Sequence, residues 1–166
     1  MSELWELYTK DKQRTGLYYV HGSGFPIPQN MYHVSVEVWV KNDRDEILIT
    51  QRHPCKDFAL MWDNPRGDVM AGEEVIQGAV RELFDKTGIV ASKEELTYLG
   101  ETLIDDHFMV SYLYHLKDSG FILHLQPNEA IEARYITSDI LDDLEVEIVP
   151  HVWRRYIKYR DKLSTL

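Results

Sequence analysis

The sequence predicts an α/β fold, a mixed β-sheet with helices packed on its faces, and three observations carry that prediction. Residues 32–40, YHVSVEVWV, alternate and are rich in β-branched and aromatic side chains, as a strand in a sheet requires. Residues 73–87 place Val75, Ile76, Ala79, Val80 and Leu83 on one face at about 100° per residue, the mark of an amphipathic helix. Pro150 opens another such helix, with Val152, Tyr156, Tyr159 and Leu163 along one side. Strands and helices in this order pack as layers, an α/β sandwich.

Each element has its local reason. Residues 3–9 and 17–20 read as short strands joined by the polar turn TKDKQRTG, and residues 22–30, rich in glycine and proline, read as a loop. Asn42-Asp43-Arg44-Asp45 is a turn that pairs the 32–40 strand with a second strand at 46–52. A loop through Met61-Trp62-Asp63-Asn64 leads to the first helix. Glu73 and Glu74 stand at its start, where the macrodipole favours acids, and Gly88 suits the left-handed position past its end. Strands are expected at 96–103, 108–116, 121–126 and 133–136, with a turn at 117–120. Ser138 is expected to cap a short helix over DILDDLE.

The 166 residues fit one domain, 1–166, and the formal net charge of -10 disfavours binding to a nucleic acid polymer, which needs clustered cations. A small phosphorylated ligand met by a metal and a few local cations remains compatible with that charge. No apolar run approaches the length that spans a membrane and no signal-like N-terminus is seen, so a cytoplasmic protein is expected. The single cysteine, Cys55, excludes an internal disulfide framework.

Glu82, Asp85 and Lys86 share an arc beside the apolar face of the first helix. Two carboxylates at the edge of a core can grip a hard divalent cation through oxygen. Read alone, the same helix is a surface helix with a Glu82–Lys86 pair worth about a few tenths of a kcal/mol. Spacing decides between these: Gly67, Glu73, Arg81-Glu82-Leu83 and Gly88-Ile89 follow G-x5-E-x7-R-E-U-x-E-E-x-G-U, with U aliphatic, and the stretch resembles the Nudix box. The paired glutamates alone depart, reading Asp85-Lys86.

That resemblance implies a Nudix-type α/β/α sandwich and an enzyme that cleaves a nucleoside diphosphate linked to another moiety with Mg²⁺ or Mn²⁺. It implies that Glu82 binds metal or acts as base, that Asp85 is a metal ligand, and that Arg81 and Glu73 orient them. It also points to the backbone carbonyl of Arg66 as a metal ligand. Lys86 opposes this, because a cation about 4 Å from the ion costs about 4 kcal/mol per unit charge at an effective dielectric near 20. Metal binding is expected to weaken, with the substrate diphosphate completing the site or Lys86 contacting phosphate itself. Catalysis requires Glu82 and Asp85 to converge on one cavity with Lys86 leaving the ion its seat.

Arg52 and Lys56, four residues apart before the box, are placed to clamp a diphosphate. In isopentenyl diphosphate isomerases, which share the Nudix fold, an arginine and lysine so spaced do this, and LWELYTKDKQRTG followed by YHVSVEVWV looks like that branch. The Cys-Gly-His triplet of those isomerases reads Arg66-Gly67-Asp68 here, which makes isomerisation the lesser reading. His33 fits one ligand of the isomerase metal and His21 loosely another; by itself His33 reads as a strand histidine with its hydrogen bond satisfied. Glu129, in PNEAIEARYI, matches a later acid that many Nudix hydrolases direct at the site. The expected function is metal-dependent hydrolysis of a diphosphate linkage in a small molecule, and its main alternative is a ligand-binding Nudix module without catalysis.

Overall fold

The computed structural model describes residues 3–118 and 120–164. Strands β1 (Leu4–Tyr8) and β2 (Arg14–Val20) form an antiparallel hairpin. β3 (His33–Asn42) and β4 (Glu46–Arg52) are joined by a turn in which the Asn42 carboxamide oxygen accepts from the Arg44 and Glu46 N–H groups, both at 3.0 Å. Short strands β5 (Trp62–Asp63) and β6 (Arg66–Asp68) precede α1 (Val75–Thr87). Then come β7 (Leu96–Ile104), β8 (His107–Leu116), β9 (Ala130–Thr137), α2 (Ser138–Asp142) and α3 (Pro150–Ser164).

Among the described residues the main sheet has seven strands and is mixed. β3 runs parallel to β8, while β4, β5, β7 and β9 pair antiparallel with their neighbours. β3 leaves β4 soon after the turn, and β6 takes that edge, with Ser35 opposite Asp68, Val36 opposite Gly67 and Glu37 opposite Arg66. The strand that opens the box is thereby fixed to the centre of the sheet.

Both faces of the sheet are covered. Val34, Val36, Val38 and Val40 pack with Ala79 and Leu83 of α1, whereas Trp39, Ile47 and Leu113 pack with Val152, Tyr156 and Tyr159 of α3. Alternate residues of β3 thus serve opposite layers, as the period of two in a strand dictates. Each fully buried aliphatic side chain contributes about 1.5–3 kcal/mol, so these layers rather than helix propensity hold α1 in place. No helix among the described residues is long and apolar enough to cross a membrane.

Four expectations need correction. Residues 121–126 form no strand: Phe121 and Leu123 pack on the core and Ile122 points out, but the His124 N–H donates to the Thr87 carbonyl at 2.8 Å. The segment alternates like a strand while capping α1. The loop over residues 61–64 contains β5, because Gln51 and Thr50 of β4 offer it an open edge. Thr137, not Ser138, is the N-cap of α2, and that helix stops at Asp142. Glu73 and Glu74 lie just ahead of α1, which starts at Val75 with Glu74 as N-cap.

Candidate functional site

α1 carries the site because both of its ends are fixed. The Glu74 N–H donates to the Gln77 carboxamide at 3.0 Å, and Gly88, at φ 80°, closes the other end with its N–H on the Phe84 carbonyl at 2.7 Å. Arg81 projects from the middle of the helix and uses its whole guanidinium. It donates to Glu73 at 2.7 and 2.9 Å, to Glu82 Oε1 at 2.8 Å, to the Asp68 carbonyl at 2.8 Å and to Asp85 Oδ2 at 3.3 Å. Burial alone would raise the Glu73 pKa, but these bonds and the Met70 N–H hold it below the ordinary glutamate range. The bonds to Glu73 push Arg81 further up.

Glu82 is buried, at 6% exposure, and desolvation raises its pKa despite the Arg81 bond. Its carboxyl lies against the backbone of β6: a Cβ added to Gly67 would stand 2.1 Å from Glu82 Cδ. Only glycine allows that approach. Beyond it opens a cavity of about 650 Å³ lined by Glu82, Lys86, Arg52, Lys56, Arg66 and Glu129 among others. Among the described residues, seven carboxylates and four Lys or Arg side chains line it.

Two carboxylates organise the cations. Asp63, buried, accepts from Arg52 at 2.7 Å and from Arg66 at 2.9 and 3.2 Å; burial would raise its pKa, but the arginines hold it low. Glu129 bridges Lys56 and Lys86, the latter at 3.1 Å, and the same lysines outweigh burial to lower its pKa. Asp63 escaped the sequence reading because an acid in an apparent loop carries no periodicity; it is found only once β5 pairs with β4.

The far end of the cavity is made by the N-terminal hairpin. Trp5 stacks between His21, at a centroid distance of 4.4 Å, and His33, at 4.1 Å. The parallel register of β3 and β8 puts His33 beside His107, and with Asp106 their ligand atoms lie within 4.8 Å of one another, a set able to hold a metal ion. His33 Nδ1 has no hydrogen-bond partner among the described residues, contrary to the expectation of a satisfied strand histidine. Asp68 Oδ1 is 3.5 Å away and is itself held by the Ser35 hydroxyl at 2.6 Å.

Residues 31–155 match the NUDIX domain family. This chain belongs to the Nudix family. Over 57 residues it is 42% identical to the 8-oxo-dGTP diphosphatase of Haemophilus influenzae, covering 34% of this chain and 42% of that one. Over 65 residues it is 35% identical to Nudix hydrolase 8 of Arabidopsis thaliana, covering 38% of this chain and 18% of that protein. The matched part is therefore under half of either relative. A longer match, 28% identical over 151 residues, is to an RNA pyrophosphohydrolase of Novosphingobium aromaticivorans and covers 78% of this chain and 93% of that one. Among solved structures, DR0079 of Deinococcus radiodurans superposes with a TM-score of 0.71 over 92% of this chain and 98% of that one at 18% identity, a likeness of fold.

In this Nudix domain the box residues separate. Glu82 faces the cavity; Asp85, with 40% of its side chain exposed, lies outside the lining and pairs with Arg81. The expected convergence of Glu82 and Asp85 on one cavity is not found: Glu82 lines the cavity and Asp85 does not. Lys86 enters the cavity and is bridged to Glu129, not to either box acid. Arg52, Lys56 and Glu129, outside the box in sequence, line the same cavity as Arg66, Gly67 and Glu82.

His33 also gives a pH dependence that stability alone reports. Burial lowers its pKa to about 4, with Asp68 opposing, against 6.5 for the free side chain. Between those values the unfolded chain takes up a proton that the folded chain refuses, so stability falls as pH drops from about 6.5 to about 4. His33 is expected to account for about 3 kcal/mol of the stability that urea unfolding loses across that window, beside the part due to His151, whose pKa burial also lowers to about 4, and His33→Gln to remove its own part of the slope.

Proposed function

We propose that this Nudix domain hydrolyses a diphosphate linkage in a small molecule, a nucleoside diphosphate derivative, with Mg²⁺ or Mn²⁺. The observation that carries the proposal is Glu82: a desolvated carboxylate pressed on Gly67, lining a cavity that Arg52, Lys56 and Lys86 also line. The names of the relatives, a diphosphatase and a pyrophosphohydrolase, support the same reaction type.

The donor set fits a divalent ion. With more carboxylates than cations on its walls, the cavity accepts an anionic diphosphate far better when a cation comes with it. Glu82 would hold the ion together with the backbone carbonyl of Arg66 and substrate oxygens, and Asp85 would act from outside through Arg81, the guanidinium both acids share. Bound there, the ion would neutralise phosphoryl oxygens and acidify a water. Glu82, its basicity raised by burial, takes a proton from the attacking water. The new bond forms at phosphorus as the bridging P–O bond breaks, and the leaving phosphate departs with that electron pair. Arg81 and Glu73 keep Glu82 in place, while Arg52, Lys56 and Glu129 set the diphosphate. The composition and the exposed Cys55 fit a cytoplasmic setting.

The test is turnover of nucleoside diphosphate derivatives, with isopentenyl diphosphate and 5′-phosphorylated RNA as further arms, in Mg²⁺ or Mn²⁺. Release of nucleotide or phosphate supports the proposal, and conversion of isopentenyl diphosphate alone replaces it with isomerisation. The Lys86 bridge favours one second reading, a binding module. That reading prevails if no substrate turns over while ligands still raise the melting temperature. Gly67→Ala is a sharper check, since its Cβ must displace the Glu82 carboxylate. Turnover is expected to fall about 100-fold, as roughly 1 Å of misplacement costs in other sites.

A further inference from the structure

We propose that Lys86 is a substrate-binding residue that does the work of a metal ion: with Lys56 it binds the diphosphate directly, so the site takes pyrophosphate without any divalent cation and holds one ion fewer when loaded. The inference rests on the diphosphate reading above and deepens it.

The cations around the cavity differ in how their donors and charge are used. Arg81 is spent on Glu73, Glu82, Asp85 and the Asp68 carbonyl, and does not line the cavity. Arg52 and Arg66 both pair with the buried Asp63, and Arg52 Nε donates to the Asp57 carbonyl at 2.6 Å, so each has spent two of its five N–H donors and shares its charge with a buried acid. The lysines share instead the part-exposed Glu129. An ammonium has three N–H donors; among the described residues Lys86 spends two, on Glu129 at 3.1 Å and Gln126 at 3.3 Å, and Lys56 spends one, on Glu129. Each therefore keeps a donor, and each reaches the cavity. Glu129 is the one carboxylate among the described residues bonded to both.

Glu129 is what makes this a built arrangement. It pairs with both ammoniums at the cavity wall, so little side-chain freedom is lost when phosphate oxygens bind. Lys86 also stands one helical turn after Glu82 on α1 and lines the same cavity, which places it beside the acid that faces that cavity.

The experiment is calorimetric titration of inorganic pyrophosphate into the full chain in EDTA and again in Mn²⁺, with Mn²⁺ counted by electron paramagnetic resonance. The natural protein is expected to bind pyrophosphate in EDTA, Lys86→Gln to weaken that binding roughly tenfold or more, and Lys86→Glu to abolish it. In Mn²⁺, Lys86→Glu is expected to recover binding and to hold one more ion per site than the natural protein. Unchanged melting temperatures show that each variant is folded. No binding by the natural protein in EDTA overturns the inference, as does equal binding by Lys86→Gln, or the same ion count in Lys86→Glu. Failure here is distinct from failure of the hydrolase reading: metal-free binding with no turnover sinks hydrolysis alone, and turnover with binding indifferent to Lys86 sinks this inference alone.

Discussion

Glu82→Gln is expected to lose turnover by about 10³-fold while the protein stays as stable as before, or becomes slightly more so. Both halves follow from one circumstance: Glu82 is a carboxylate kept out of water. Burial makes it a better base and leaves it costly to ionise, so an amide of the same shape relieves the fold and removes the chemistry. Arg81 would lose one charged acceptor but keep Glu73, Asp85 and the Asp68 carbonyl, so the guanidinium stays in place. The same burial sets the acid limb of the pH profile. A base must be deprotonated, so kcat/KM is expected to fall as pH drops through the Glu82 pKa, which burial raises and a bound cation lowers. Unfolding curves beside initial rates check this; equal losses of stability and activity, or a variant that still turns over at the natural rate, would remove Glu82 from the mechanism.

The sequence made the scaffold of this site legible and left its wiring hidden. Periodicity found α1 and α3 because each presents one long apolar face, and Val152, Tyr156, Tyr159 and Leu163 are all buried as their spacing implied. The box spacing placed Gly67 and Glu82, and the reason for that spacing is visible in the strand β6, which lays a residue without Cβ against the helix. Asp85 looked like the partner of Glu82 because both share an arc of the helix. An arc is wide, however, and three residues turn a side chain far enough that Arg81 claims Asp85 at the surface. Residues 121–126 imitate a strand for the same general reason: alternating burial needs only a core below, while a strand also needs a partner beside it. What no periodicity encodes is long-range pairing. Asp63 with Arg52, Glu129 with Lys86 and His33 with His107 meet only through sheet register and loop closure.

Arg155 is the most consequential residue that spacing failed to single out, and its removal should cost the most stability. It lies on α3 at 2% exposure, and its Nε donates to Glu37 Oε1 at 2.8 Å in the middle of β3. Glu37, fully buried, also accepts from Asn64 at 2.8 Å, Ser111 at 2.6 Å and the Trp39 indole at 3.0 Å. This network ties α3 through the sheet to Asn64, the residue after the Asp63 that anchors Arg52 and Arg66 in the cavity. Arg155→Met keeps most of the volume but leaves a buried carboxylate without its cation, which is expected to cost about 3–5 kcal/mol in denaturant unfolding. If the cost is the unpaired charge rather than lost packing, Glu37→Gln in the same chain removes it and should restore most of the loss. A double variant as unstable as the single one would show instead that Arg155 acts through its packing against β3 and β8. The pair would then have no part in holding Asn64, and through it the cation wall, where the site needs them.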